Sequence, residues 1–293
     1  MARRKYNTRK AFDKTELFNF IDKFEIEKVG SILVTKYDGR VIKSVEVSNK
    51  YEIFDFKKYM KDKIELISEN FNINEYATYF AGGIQEVRLF SDNVDISGDI
   101  YEKCFYFLNS TDKTRVLNLN LGLYNKEKNF YSAFSKSEFS LRKKHLIGVT
   151  DAANKVSSKF SENTFNVEIE MIKSLVGQSV KLSSIQDILI KGDNGEVTIG
   201  GHFRFDAFKK AIEDKASNNQ KTILRTKSVD LANKYLTNEA ERYDFYLDAY
   251  DTFVIYTTLF TNHDSYVVAK ETDRILNITQ QMVRNSKLDE LFA

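Results

Sequence analysis

Hydrophobic and polar positions alternate most strictly between Leu117 and Tyr124, where Leu117, Leu119, Leu121 and Leu123 are separated by Asn118, Asn120 and Gly122. A period of two over that length predicts a β-strand with one face buried. Upstream stand the apolar run Cys104-Phe105-Tyr106-Phe107-Leu108 and the polar cluster Asn109-Ser110-Thr111-Asp112-Lys113, whose residue types favour a hairpin turn. Gly82-Gly83 introduces a further run, Ile84 to Phe90. Ile32 to Val47 reads as a hairpin closed at Asp38-Gly39, with Val41, Val45 and Val47 alternating on its second strand. Together these runs predict an antiparallel meander over about residues 30 to 134.

Elsewhere the period lengthens. Leu17, Phe20, Ile21 and Phe24 predict a helix capped by Thr15 and running to about Ile26, and Phe56, Met60, Ile64, Ile67 and Phe71 predict another begun by Asp55. From Thr164 the signal is mostly helical: first Phe165, Ile169, Ile172 and Val176, then Asp206 to Ala216, then two longer stretches around Tyr243–Tyr256 and Val268–Met282. Gly192, Gly195, Gly200 and Gly201 bracket Val197-Thr198-Ile199 as a loop or short hairpin, at a spacing that matches neither phosphate-binding glycine motif. The expected fold class is α+β, an antiparallel sheet with helices packed on one face, followed by a mostly helical C-terminal half. Residues 1–160 form the sheet-containing domain with its basic arm, and 161–293 a helical region that is either separate or part of the same domain.

Composition narrows the class without naming a chemistry. At 293 residues, 42% hydrophobic and 29% charged, the chain has the makeup of a globular protein rather than a disordered one. No window approaches the roughly 18 uninterrupted apolar residues of a membrane span, and the start MARRKYNTRK lacks the apolar core of a secretory signal. The expected compartment is the bacterial cytoplasm, or alternatively a virion, with no membrane partner. Cys104 is the sole cysteine, which excludes an intrachain disulfide and a Cys-rich zinc site; inside an apolar strand it reads as a small buried hydrophobe. His145, His202 and His263 are far apart in sequence, so no metal and no cofactor is assigned. The absence of Pro and Trp, with abundant Lys, Asn and Ile, fits an AT-rich genome and lowers the weight of any lone Lys or Asn.

Clusters of charge carry more. Residues 1–10 hold Arg3, Arg4, Lys5, Arg9 and Lys10 and no acid, in a chain of formal net charge +2. Such an arm fits phosphates or another anionic surface, and equally a solvated terminus. A second cluster, Arg142, Lys143, Lys144 and His145, follows Tyr131 and Phe134. Rings beside cations are what single-stranded DNA or RNA requires, faces for the bases and charge for the backbone; with 23 Phe and 16 Tyr in the chain, chance adjacency is the competing account. Asn109, Ser110 and Asp112 form a possible polar turn site, or an ordinary turn. No Asp or Glu spacing compels catalysis.

The order of Val47-Ser48-Asn49-Lys50-Tyr51, Gly82-Gly83 before a strand, Leu108-Asn109-Ser110-Thr111-Asp112, Tyr124-Asn125 and Lys144-His145 resembles a family of uncharacterised proteins carried by phages and plasmids, over about residues 40 to 160. That family's pattern has a histidine and a glycine around the Asn-Ser turn and a cysteine before the later Asn; Thr111, Lys113 and Tyr124 stand near those places here. The resemblance implies a mobile-element origin and a β-rich core with helices. More remotely, a core of hairpins and helices is similar to that of recombination proteins that anneal single strands as oligomeric rings. The reading for function is therefore non-enzymatic binding of single-stranded nucleic acid, with strand annealing by a homo-oligomer. The alternatives are a structural or assembly protein of a phage particle, contacting other phage proteins through the C-terminal tip Leu288–Phe292, and an enzyme of unknown reaction.

Overall fold

The computed structural model describes residues 9–111, 117–127, 130–133, 140–181, 189–191, 197–199, 203–204 and 246–250, together with Phe253, Val254, Thr257, Thr279, Gln280, Val283 and Arg284. Antiparallel sheets combined with helices make it a mixed α+β protein. The chain divides into two compact units, one of residues 1–94, 100–124 and 133–165, the other of 95–99, 125–132 and 166–293.

In the first unit, β1 (Lys10–Ala11) leads into α1 (Lys14–Asp22), then β2 (Phe24–Val29), β3 (Ile32–Tyr37) and β4 (Arg40–Glu46). Asp13, not Thr15, caps α1: its Oδ1 accepts from the Glu16 amide at 3.0 Å. The expected extension of the helix to Ile26 gives way to β2, because Phe24, Ile26 and Lys28 alternate in burial with Glu25, Glu27 and Val29. β2, β3 and β4 form a three-stranded antiparallel sheet. Asp38 and Gly39 close its β3–β4 hairpin with φ of 52° and 72°, the paired left-handed geometry that an Asp-Gly turn supplies at low cost. α2 (Phe56–Asn70) starts where Asp55 accepts from the Lys58 amide at 2.9 Å, and it buries Phe56, Tyr59, Met60, Ile64 and Ile67.

The main sheet follows. β5 (Glu75–Ala81), β6 (Ile84–Ile96), β7 (Asp99–Ser110), β8 (Leu117–Asn125), β9 (Phe130–Ala133) and β10 (Ser140–Lys143) join β1 in seven strands, ordered β1-β5-β6-β7-β8-β10 with β9 off that path. Gly82 and Gly83, at φ of 55° and 97°, turn β5 into β6. Asn109 and Ser110, expected in a turn, instead end β7 as fully buried strand residues. Asn109 Nδ2 donates to Gln85 Oε1 at 3.0 Å, and the Thr111 backbone N–H donates to the Gly83 carbonyl. β8 is buried on both faces rather than one: the four leucines and Asn120 are all at 0% exposure. Asn120 Nδ2 donates to Asn118 Oδ1 at 2.6 Å, so each side chain supplies the partner the other lost with water.

The two faces of the sheet differ in kind. One carries Phe105, which meets Phe71 at the end of α2 and Phe165 of α4 (Glu162–Lys173) at centroid distances of 4.8 and 5.4 Å. Tyr59 of α2 also donates to the Ala153 carbonyl in α3 (Val149–Ser157). The other face carries Glu75, Phe90, Glu102 and Tyr124, collected around Arg9.

The second unit is described in shorter pieces. β11 (Ser179–Lys181) pairs antiparallel with β15 (Tyr246–Asp248), so those three residues are strand within a stretch expected to be helical. β12 (Leu189–Lys191), β13 (Val197–Ile199) and β14 (Phe203–Arg204) form an antiparallel sheet at the glycine-bracketed segment. Tyr250, Phe253, Val254 and Thr279 are helical and buried, and the Tyr250 hydroxyl donates to Asp99 at 2.7 Å. The expected helix over Asp206–Ala216 and the tip Leu288–Phe292 lie outside the described residues. No helix among the described residues is long and apolar enough to cross a membrane.

Candidate nucleic-acid interface

Arg3, Arg4, Phe134 and Asp112 of the expected site lie outside the described residues. Of the remaining members, Arg9 and Lys10 engage different partners, Asn109 and Ser110 end β7, and His145 and Tyr131 are buried.

Arg9 lies on the polar face of the main sheet. Its two terminal nitrogens donate to the Glu102 carboxylate at 2.7 and 2.8 Å, one of them also reaches Glu75, and the guanidinium carbon lies 3.7 Å from the Phe90 ring centroid. The planar fork matches a carboxylate while its face lies on a ring, a combination specific to Arg. Beside it, Arg88 donates to Glu86 at 2.7 Å and stands 5.3 Å from the Tyr106 ring. Arg9 is thus held by acids of its own fold. On the same face Cys104 is fully buried, which pushes its thiol up to about 12 and makes it an inert core residue.

Lys10, one residue on, points elsewhere, because successive side chains of a strand alternate in direction. It is half exposed, pairs with Glu16 and lines a surface cavity of about 210 Å³ together with Glu16, Asn19, Phe20, Lys23, Tyr76 and Thr78. The register that sets Lys10 opposite Tyr76 and the single turn of α1 between Glu16 and Asn19-Phe20 bring these groups together. Phe20 is held at one side by Phe24, 5.2 Å between centroids and nearly perpendicular, and by Tyr37 at 6.3 Å. Glu16 accepts from Lys10 and from the Tyr76 hydroxyl, and those two hydrogen bonds hold its pKa below the ordinary carboxylate value. Burial, and then the hydrogen bond to Glu16, raise the Tyr76 phenol well above its usual range, so it remains a donor.

The second cluster is a structural joint. Arg142 and Lys143 are in the edge strand β10, opposite Asn118 and Leu117. Lys143 Nζ donates to the Gly148 carbonyl at 2.9 Å, at the start of α3, and Lys144 is exposed. His145 is 6% exposed and stacks on Tyr51 at 5.4 Å with Phe54 at its edge. Glu52 completes the joint: its carboxylate accepts from the Gly148 amide at 2.6 Å and from the Thr150 hydroxyl at 2.7 Å, giving the N-terminus of α3 the anion it favours. Those hydrogen bonds, led by Thr150, lower the Glu52 pKa against the opposing effect of desolvation. Tyr131 is buried, at 4% exposure, and so presents no open face.

Burial holds the His145 pKa down, from 6.5 to about 4, with a partly opposing pull from Glu52. The unfolded chain therefore takes up a proton that the folded state refuses throughout that interval. Stability from this residue is complete above about pH 6.5 and falls as pH drops towards 4. His145→Phe should flatten the stability loss between pH 7 and pH 5 in urea titrations; an unchanged pH profile would show that the folded protein protonates the imidazole as readily as the unfolded chain does.

Sequence adjacency did not reveal Lys23, Phe20, Asn19 and Glu16 as companions of Lys10. Phe20 belongs to the α1 apolar stripe, and only its incomplete burial separates it from Leu17 and Ile21, which are at 0% and 1%. Among the described residues no group of three or more His, Cys, Asp or Glu is placed to hold a metal. Comparison of the chain with protein-family models, with curated proteins and with solved structures finds no match.

Proposed function

We propose that the protein binds single-stranded nucleic acid without a sequence code, as a non-enzymatic mobile-element protein whose oligomers bring strands together. The observation that carries this reading is the cavity at α1. Lys10 and Lys23 supply cations at a surface that also offers the Phe20 ring, and Lys10 is the last residue of the basic run 1–10 in the sequence. Backbone charge neutralisation and base stacking are the two interactions that single-strand binding requires. Lys144 and the β10 edge are a separate basic surface that adds long-range attraction without rings of its own.

The test is anisotropy of a labelled single-stranded oligonucleotide, with the matching duplex, at several salt concentrations. Binding should favour the single strand and weaken steeply with salt. The double variant Lys10→Glu, Lys23→Glu should lose at least about tenfold in affinity and show a shallower salt slope, since each lost phosphate contact removes roughly 0.7 from it. Equal affinity of variant and parent would remove the α1 surface from the interface, and no binding at low salt would remove the function.

A further inference from the structure

Resting on that reading, we infer that the α1 cavity is a pocket for one unpaired nucleobase carrying an exocyclic amino group, cytosine, adenine or guanine, in preference to thymine or uracil. Its volume of about 210 Å³ lies below the roughly 300–1,000 Å³ of sites for drug-sized ligands and suits a single ring system. Phe20 provides a ring whose orientation is set by Phe24 and Tyr37, so a base meets a surface that is already ordered. A site for phosphate alone would be lined by donors. Here a carboxylate, Glu16, stands among them, ionised and acceptor-only at neutral pH.

The two oxygens of an ionised carboxylate together have capacity for more than the two donors Glu16 receives from Lys10 and Tyr76, and the amino group of cytosine, adenine or guanine is a donor that fits it. Thymine and uracil present a carbonyl oxygen where cytosine carries its amino group, and their one N3–H donor is flanked by two carbonyl oxygens that repel the Glu16 carboxylate, so it gains less from them. The Asn19 amide lines the same cavity and serves either sign of base edge, so it does not restore the balance. Lys10 and Lys23 remain for the flanking phosphates. The result is a compositional preference at one nucleotide, compatible with binding that reads no sequence.

The experiment compares twelve-nucleotide oligo-dC, oligo-dT and a fully abasic strand of the same length, on the full chain at one salt concentration. Oligo-dC should bind about tenfold more tightly than oligo-dT, and the abasic strand should lose a similar factor, as expected for one stacked and hydrogen-bonded base. Glu16→Gln should bring the dC to dT ratio close to one, because an amide both donates and accepts, even where relief of charge raises affinity for both strands. Phe20→Leu should reduce the loss caused by abasic positions. Equal binding of all three strands by the unmodified protein would overturn the base pocket while leaving single-strand binding standing. Absence of binding to any of them would overturn both.

Discussion

Phe105→Ala should destabilise the protein by about 3–5 kcal/mol, the largest single effect expected of any side chain described above. Phe105 is at 0% exposure in the centre of β7, and its ring touches Phe71, Phe165 and Phe160 at 4.8, 5.4 and 6.1 Å between centroids. Three of these four residues come from distant helix ends and loops, so the cavity left by truncation is bordered by groups that cannot all move inward together. The cost is therefore the lost transfer energy plus that of a cavity which stays open. In a thermal melt it should appear as a fall in Tm of roughly 10 °C. Phe105→Leu, which keeps most of the volume, should cost under half as much. A melt of Phe105→Ala within a degree of the parent would mean that the helices do not rely on β7 for their packing.

Arg9→Ala is expected to cost about 3 kcal/mol, through a different mechanism. The Arg9 side chain is 18% exposed and Glu102 14%, so removal of the guanidinium leaves a largely desolvated carboxylate without its bidentate partner. Contact with Phe90 and Tyr124 is lost as well. The comparison that isolates the charge is Arg9→Met with Glu102→Gln and Glu75→Gln, which removes the acids along with the cation. That triple variant should regain most of the stability in urea denaturation, since breaking a buried pair is costly whereas replacing all its members is close to neutral. If Arg9→Ala alone is neutral, the cluster is a solvated surface feature.

These two residues also show what the sequence makes legible. Local chemistry announces itself: Asp38-Gly39 and Gly82-Gly83 turn where their backbone freedom is needed, Asp55 caps α2, and the leucines of β8 alternate. Period alone is silent on what covers the second face of a strand. Asn118 and Asn120 read as solvent-facing, yet both are buried because they bond to each other. The same limit applies to charge. Arg9 and Lys10 are one basic run in sequence, but a strand sends them to opposite faces, and the acid that engages Arg9 is 93 residues away. Asn19, Phe20 and Lys23 belong to an ordinary amphipathic helix and its end; only the pairing of β1 with β5 sets Lys10 and Tyr76 beside them. Thr15 and Asp13 are both good caps, and the choice fell to the residue whose carboxylate reaches the Glu16 amide.

The way the chain is shared between its two compact units sets the order in which their parts are translated. The polypeptide passes from one unit to the other after residues 94, 99, 124, 132 and 165. Segments 95–99 and 125–132, which belong with the second unit, are therefore translated before the last segment of the first, 133–165. Neither unit is a contiguous stretch of the reading frame, so no single crossover in the gene transfers one intact to another protein.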